Sequence, residues 1–201
     1  MKKRIVVLAS GRGSNFQAVI DSIRNGNIPA TCVRLFTDNP DAFAIERART
    51  ADIPVTIVDF SRFPSREAYE QSLLKELKKS RADLLVLAGY MRILGSGIVA
   101  EFTGRMINIH PALLPSFPGL HGQRQALQHG VKVAGCTVHF VDENLDGGPI
   151  IVQRCVPVQK GDDEETLSAR ILEQEHRCLP EAIRLFCEGR LAIDGRTVII
   201  R

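Results

Sequence analysis

Five short apolar runs, each followed by a stretch with helical periodicity, constrain the fold of this chain more than any other feature. The runs are RIVVLA, TCVRLFT, PVTIVDF, DLLVLAG and RMINIH. Strands that are apolar throughout, rather than alternating, are typical of parallel sheets that helices cover on both faces. The pattern therefore predicts an α/β fold, with a mostly parallel twisted sheet and helices on both faces.

The last third of the chain departs from this pattern. Two strand-like runs, GCTVHFV and PIIVQRCVPV, are separated only by DENLDGG, which predicts an antiparallel pair around a glycine turn. The stretch that follows, DDEETLSARILEQEHRCLPEAIRLFCEG, has helical spacing and acidic residues where a helix would begin. We expect this helix to be interrupted or kinked near Pro180, because proline lacks a backbone N–H.

Composition narrows the class of protein. The 201 residues contain no Ser/Gly/Pro-rich linker, so we expect one domain over residues 1–201. A net charge of +3, with dispersed Lys and Arg, disfavours a nucleic-acid partner and favours an anionic small molecule. The five cysteines form no Cys-x-x-Cys pair, which predicts reduced, mostly buried thiols and no metal site. The first apolar run ends at Ala9, so it predicts a strand rather than a signal peptide, and we expect a cytoplasmic protein without membrane contact.

The segment SGRGSNFQAVID joins the first predicted strand to the first predicted helix. Backbone N–H groups of Gly11 to Asn15 can converge there on an anion at the helix N-terminus. The segment lacks the third glycine of the dinucleotide fingerprint and the Gly-Lys-Ser/Thr ending of a P-loop, which disfavours triphosphate chemistry. Two interpretations stay open: a phosphate-binding loop, or a tight turn in which Ser14 or Asn15 caps the helix.

The segment NIHPALLPSFPG places an amide and an imidazole at the end of a strand. Asn108 and His110 have the same parity, so their side chains are expected on the same side. An amide N–H and a cationic imidazole N–H directed at one point would stabilise the oxyanion of an acyl transfer. Three prolines stiffen the loop that follows. A purely structural role for the histidine is the alternative.

Asp146, in ENLDGGPI, supplies a carboxylate on a loop whose glycines allow close backbone approach. Near His110 it would favour the imidazolium form. The alternative is an ordinary Asp-Gly turn, and only the combination with Asn108 and His110 favours a functional interpretation. His139, in TVHFV, is expected to have a secondary structural role at most.

Four segments, VVLASGRGSNFQAVID, LAGYMRIL, NIHPALLPSFPG and GCTVHFVDENLDGGPII, closely resemble the phosphoribosylglycinamide formyltransferase family of purine synthesis. The similarity implies a Rossmann-like formyltransferase fold, in which the N-terminal half binds phosphate and ribonucleotide and the C-terminal half binds folate. It also implies formyl transfer from 10-formyltetrahydrofolate, a co-substrate, to the amine of glycinamide ribonucleotide (GAR), without a metal. We expect a monomer or a homodimer.

The resemblance implies the site residues as well. The catalytic residues would be Asn108, His110 and Asp146. The GAR phosphate would lie on Arg12, Gly13, Ser14 and Asn15, with the ribose near Glu175. The folate would contact Arg66, Met91, Arg92, Ile93, Leu94, Asn108, Asp142 and Asp146.

The spacing of the last helix bears on Glu175 independently. It shares one helical face with Leu167, Ile171, Cys178, Ala182 and Phe186. A carboxylate in an apolar stripe needs a partner, which could be substrate hydroxyls or a neighbouring Arg or His. One departure from the family pattern is HGQRQA, where Gln123 replaces the second histidine of a His-small-His motif, so this segment is assigned no catalytic role.

Three other functions are compatible with parts of this sequence. A formyltetrahydrofolate hydrolase would use the same Asn/His/Asp centre with water as acceptor, but such enzymes resemble this chain fused to an N-terminal domain, and here the first strand starts at residue 3 or 4. A methionyl-tRNA formyltransferase is disfavoured, because such enzymes carry a further C-terminal domain for which we expect this chain to be too short. A noncatalytic phosphometabolite-binding module would not need Asn108, His110 and Asp146 together.

Overall fold

The computed structural model of the protein describes residues 2–201. The chain divides into two compact units, with the boundary between Ile107 and Asn108. We describe each unit separately.

The first unit alternates strands and helices, as the sequence predicts. Its strands are β1 (Lys3–Leu8), β2 (Ala30–Thr37), β3 (Val55–Ile57) and β4 (Leu84–Leu87). Its helices are α1 (Ser14–Arg24), α2 (Ala44–Thr50), α3 (Arg66–Ser80) and α4 (Ser96–Glu101), with a short 3-10 helix at Phe60–Arg62. A fifth strand, β5 (Met106–His110), begins in this unit and ends in the second.

Strands of the first unit lie in the order β3-β2-β1-β4, and each pair within it is parallel. The four residues Ile5 to Leu8 of β1 have no exposed surface. That burial explains why β1 is apolar at successive positions instead of alternating. Because the strands are parallel, the loops that follow β1, β2 and β4 all leave the same edge of the sheet.

The second unit holds α5 (Gly122–Gln128), β6 (Val133–Phe140), β7 (Ile150–Pro157), α6 (Glu164–Cys187), β8 (Leu191–Asp194) and β9 (Thr197–Ile200). Strands β6 and β7 are antiparallel, which confirms the predicted turn between them. Strand β9 runs parallel to β7 and antiparallel to β8. The α/β class with antiparallel C-terminal strands is therefore confirmed, whereas the hairpin β8–β9 was not predicted.

Helix α6 runs without interruption from Glu164 to Cys187, so the predicted interruption at Pro180 is wrong, while a kink there stays a prediction. The helix packs against β6 and β7, and Leu179 and Ile183, on either side of the proline, are fully buried. This burial outweighs the loss of one backbone hydrogen bond. The N-terminus is fixed by a reciprocal capping box between Asp163 and Thr166.

All five cysteines are free, as expected. Only Cys136 and Cys178 are buried, while Cys155 is exposed and the other two are half-buried. Burial also raises the pKa of the Cys32 thiol, so Cys155 is the one clear departure from the prediction of mostly buried thiols. The alternating strand β7 leaves Cys155 on its solvent side, since neighbouring positions along it are alternately buried and exposed.

The close pairing of β6 with β7 requires a residue without a side chain at Gly135. A Cβ at this position would lie 2.1 Å from the Arg154 carbonyl oxygen, which is part of the backbone and cannot rotate away. We expect Gly135→Ala to lower the free energy of unfolding by about 1–3 kcal/mol, the usual cost of overpacking. Urea denaturation of both proteins measures the difference.

Gly97→Ala is the matched control, because a Cβ there has no neighbour within 4 Å and Gly97 lies inside α4. It should leave stability unchanged or raise it by about 0.5–1 kcal/mol, since alanine favours helix over glycine. Equal stabilities of the two variants would contradict the role given to Gly135.

Candidate active site

The end of β5 positions two polar side chains of the second unit. Asn108 is half-buried and His110 is 5% exposed, while Ile109 between them is buried. Alternation along the strand sends the two polar side chains to the same side, as predicted. Both reach the same carboxylate, Asp146: Asn108 Nδ2 lies 3.5 Å from Oδ1, and His110 Nδ1 lies 3.3 Å from Oδ2.

His139 is the fourth member of this cluster. Its Nε2 lies 3.6 Å from Asp146 Oδ1 and 3.3 Å from Asn108 Nδ2. Its Nδ1 lies 2.9 Å from the Phe140 carbonyl oxygen, which can only accept, so this nitrogen carries a proton. A secondary structural role at most was predicted for His139, yet its ring contacts two of the predicted catalytic side chains. We call Asn108, His110, His139 and Asp146 the Asp146 cluster.

The loop between β6 and β7 holds Asp146 in place. The residue adopts a left-handed backbone conformation (φ 50°), and its side chain is only 9% exposed. Gly119 N–H donates to Oδ2 over 2.8 Å. A Cβ on Gly148 would lie 1.8 Å from the Phe140 carbonyl oxygen, so only glycine lets the loop close this tightly.

The pKa of Asp146 is set by opposing effects. Burial acts to raise it, but the hydrogen bonds from His139 and from Gly119 N–H, together with the charge of His110, outweigh burial. The pKa of Asp146 therefore lies below its ordinary value, and the carboxylate is ionised at neutral pH. An ionised, buried carboxylate favours a positively charged imidazole beside it.

Both ring nitrogens of His110 face acceptors. Nδ1 faces Asp146, and Nε2 lies 2.9 Å from the Phe117 carbonyl oxygen. An ionised carboxylate and a carbonyl can only accept, so a ring nitrogen that hydrogen-bonds to either of them must carry a proton. The imidazole N–H predicted to face an oxyanion faces the Phe117 carbonyl in this structure.

The loop after β5 is fixed by side chains that the sequence analysis missed. Thr137 Oγ1 accepts from Leu114 N–H over 3.0 Å and donates to the Ala112 carbonyl over 2.7 Å. Gln153 Nε2 donates to the Leu114 carbonyl over 2.8 Å and contacts Thr137 Oγ1 at 2.9 Å. These bonds hold the segment that begins directly after His110 and leads to Phe117.

In the first unit, the loop after β1 leads into α1 through Gly13. This glycine is the N-cap, with φ 67°, and α1 begins at Ser14, so the interpretation that Ser14 or Asn15 caps the helix is wrong. A Cβ on Gly13 would lie 2.8 Å from Ala44 Cβ, which explains why the chain turns at a glycine. Gly11 and Arg12 are exposed.

The predicted folate segment of the first unit, residues 91–94, follows β4 and has mixed exposure. Met91 and Ile93 are 63% and 64% exposed, whereas Leu94 is buried. Arg66, from α3, donates to the Ile93 carbonyl over 3.0 Å and pairs with Glu70 at 2.7 Å. The structure thus brings Arg66 and this segment together, as the prediction requires.

Two further contacts tie this segment to its surroundings. Met91 N–H donates to Ser10 Oγ, over 2.9 Å, in the loop after β1. Arg92 Nε lies 2.7 Å from Asp38 Oδ2, and its guanidinium stacks 3.7 Å above the Phe60 ring. The Arg92 side chain is therefore directed at protein groups, which the bare sequence did not indicate.

The remaining predicted residues lie in the second unit. Asp142 is half-buried and accepts from Asn144 N–H over 2.8 Å. Glu175 is 7% exposed, and the apolar stripe around it on α6 is confirmed for Leu167, Ile171, Cys178 and Ala182, while Phe186 is half-buried.

Among residues 2–201, no group of three or more His, Cys, Asp or Glu is placed to hold a metal. In the same range, no helix is long and apolar enough to span a membrane.

The fold is that of a defined class of enzymes. The model of the formyl transferase family matches residues 3–183, and the chain belongs to this family. It is 49% identical over 187 residues to phosphoribosylglycinamide formyltransferase of Escherichia coli strain K12, covering 93% of this chain and 88% of that protein. A crystal structure of glycinamide ribonucleotide transformylase 1 from Symbiobacterium toebii superposes with a TM-score of 0.96 at 52% identity, covering 98% of this chain and 93% of that one.

Two further relatives differ in length or activity. The trifunctional purine biosynthetic protein adenosine-3 of Drosophila pseudoobscura pseudoobscura is 49% identical over 94% of this chain, which spans only 14% of that protein's length. A formyltetrahydrofolate deformylase from Pseudomonas syringae has a TM-score of 0.93 at 28% identity and covers all of this chain, which spans 66% of that one. The fold is thus shared by a transferase and a deformylase.

Proposed function

We propose that this protein transfers the formyl group of 10-formyltetrahydrofolate to the amine of GAR, giving formyl-GAR in de novo purine biosynthesis. The observation that carries the proposal is the convergence of Asn108 and His110 on the buried carboxylate of Asp146. Membership of the formyl transferase family and similarity to two enzymes named for this reaction support it. We place the enzyme in the cytoplasm, as a monomer or a homodimer.

In the proposed reaction, the unprotonated amine of GAR attacks the formyl carbon, and negative charge develops on the formyl oxygen. Asn108 Nδ2–H and His110 Nε2–H stabilise this oxyanion by donating hydrogen bonds. The Phe117 carbonyl accepts from His110 Nε2 in the structure, so the formyl oxygen replaces that carbonyl as the acceptor. The exchange leaves His110 Nδ1 facing Asp146 throughout.

Asp146 has two parts in this reaction. Its negative charge keeps His110 protonated, which makes the imidazole a stronger donor to the oxyanion. It also assists movement of the proton that the amine loses, through water, to the folate nitrogen that departs when the C–N bond breaks. The reaction needs no covalent acyl-enzyme, because amine and formyl donor react directly.

The proposal assigns binding residues to each substrate. The GAR phosphate binds the loop of Arg12, Gly13, Ser14 and Asn15, and the ribose binds Glu175. The folate binds Arg66, Met91, Arg92, Ile93, Leu94, Asn108, Asp142 and Asp146. A buried carboxylate such as Glu175 is suited to ribose hydroxyls, which are neutral donors.

The alternative functions are distinguished by one assay. Release of deformylated folate from a 10-formyl folate is followed spectrophotometrically, with and without GAR. Release that depends on GAR is the expected result. Release without GAR would instead favour the hydrolase, the activity named for the deformylase relative. No release in either mixture would favour a noncatalytic phosphometabolite-binding module.

A further inference from the structure

We propose that Arg47 is the positioning residue of the phosphate-binding loop, an inference that rests on the proposed function. Arg47 lies on α2, outside the loop of Arg12 to Asn15, and nothing in the sequence pattern singles it out. It acts by holding the Arg12 carbonyl, which directs the Gly13 N–H toward the anion. Arg47 thereby orders a binding surface made of backbone rather than of side chains.

Helix α2 holds two successive carbonyls of this loop. Ala44 N–H donates to the Gly11 carbonyl over 3.0 Å, and Arg47 Nε donates to the Arg12 carbonyl over 2.8 Å. Gly13 lies directly against the same helix, since its missing Cβ would be 2.8 Å from Ala44 Cβ. The loop is therefore attached to α2 at three consecutive residues.

Because of peptide geometry, these contacts also determine where the N–H groups of Arg12 and Gly13 point. In a planar trans peptide, the carbonyl and the N–H of the next residue point to opposite sides. Holding the carbonyls of Gly11 and Arg12 against α2 therefore turns the N–H groups of Arg12 and Gly13 away from it. The first N–H groups of α1 follow directly in the chain, and such successive N–H groups form an anion-binding concavity.

The guanidinium of Arg47 has a second attachment that fixes its orientation. Nη1 donates to Gln17 Oε1 over 3.1 Å, and Gln17 Nε2 donates in turn to Asp21 Oδ1 over 2.9 Å. The guanidinium also lies 5.1 Å from the centroid of the Phe43 ring. Arg47 thus bridges the loop and the first turn of α1, which a lysine cannot reproduce, because it has no planar fork of donors.

The test compares Arg47→Lys and Arg47→Met with the wild type in steady-state assays that vary GAR and the 10-formyl folate separately. Both variants should raise the KM for GAR about tenfold or more, the effect of losing a hydrogen bond that involves a charged group. The kcat and the KM for the folate should change by less than about threefold, because Arg47 does not touch the reacting atoms. Thermal unfolding of each variant checks that the fold persists.

Arg49→Met is the matched control on the same helix. Arg49 is exposed, and within residues 2–201 its ion pair is with Glu46, so the KM of Arg49→Met for GAR should equal that of the wild type. A wild-type KM for GAR in Arg47→Lys would overturn the inference, because positive charge alone would then suffice. Equal losses in kcat and in both KM values would also overturn it, since they indicate general structural damage. A wild type that is active without GAR would instead overturn the proposed function.

Discussion

Asp146→Asn should lower kcat by about 10³- to 10⁴-fold while leaving the protein folded. A loss of this order is seen when an amide replaces the carboxylate that orients a catalytic histidine. The substitution preserves the volume of the side chain but removes the charge that faces His110 at 3.3 Å. The oxyanion would then be stabilised by a neutral imidazole, which is a weaker donor.

The pH dependence of the free energy of unfolding tests the negative charge of Asp146 in a second way. The pKa of Asp146 lies below its ordinary value because hydrogen bonds from His139 and Gly119, and the His110 charge, outweigh the burial that would raise it. A carboxylate with a lowered folded-state pKa stabilises the protein above its unfolded pKa, and this contribution is lost as the pH falls through the folded value. Wild type should therefore exceed Asp146→Asn in stability at neutral pH, and the difference should shrink in acid below the ordinary aspartate pKa.

The control for this experiment is Asp194→Asn, an exposed carboxylate at the end of β8 in the same unit. It should change neither kcat nor the difference in stability between neutral and acidic pH. If Asp146→Asn turns over GAR at the wild-type rate near pH 7, Asp146 is not the partner of a catalytic imidazolium.

Much of the fold follows from local sequence pattern. Continuous apolar runs predict β1 to β5, and β1, β4 and β5 are indeed buried at successive positions, whereas β3 forms without a buried residue. The glycine-containing turn predicts the antiparallel pair β6–β7. An interruption of α6 was predicted at Pro180 because local helix propensity carries no information on how much apolar surface the helix buries. The hairpin β8–β9 is short and largely exposed, so its residues lack a distinctive burial pattern.

Side-chain positions along a strand can be predicted from the sequence, whereas contacts made by backbone groups cannot. Strand parity was enough to place Asn108 and His110 on one side, because alternation is a local property. The same parity rule places Thr137 and His139 on one side of β6, but because the strand is buried at every position from Ala134 to Phe140, the pattern does not show which neighbours these two side chains meet. The partners supplied by backbone, the Phe117 carbonyl and the Gly119 N–H, have no signature in the sequence.

Asn108→Ala should lower kcat by about 10²- to 10³-fold, the usual effect of removing one oxyanion donor. The loss should appear mainly in kcat, because the amide gains its importance when charge develops on the formyl oxygen. Steady-state kinetics with GAR and a 10-formyl folate provide the measurement. Asn25→Ala is the control, since Asn25 is exposed at the end of α1 and should retain wild-type kinetics.

Asn108 Nδ2 also contacts His139 Nε2 at 3.3 Å and Asp146 Oδ1 at 3.5 Å, so the experiment must distinguish two roles for Asn108. Asn108 could therefore act by arranging these two side chains instead of by donating to the oxyanion. In that case Asn108→Ala would shift the pH–rate profile, since the ionisable groups of the cluster would be disturbed. Loss of a donor alone lowers the rate by the same factor at every pH. A parallel, lowered profile thus supports the oxyanion role, and an unchanged kcat with normal folding would refute any catalytic role for Asn108.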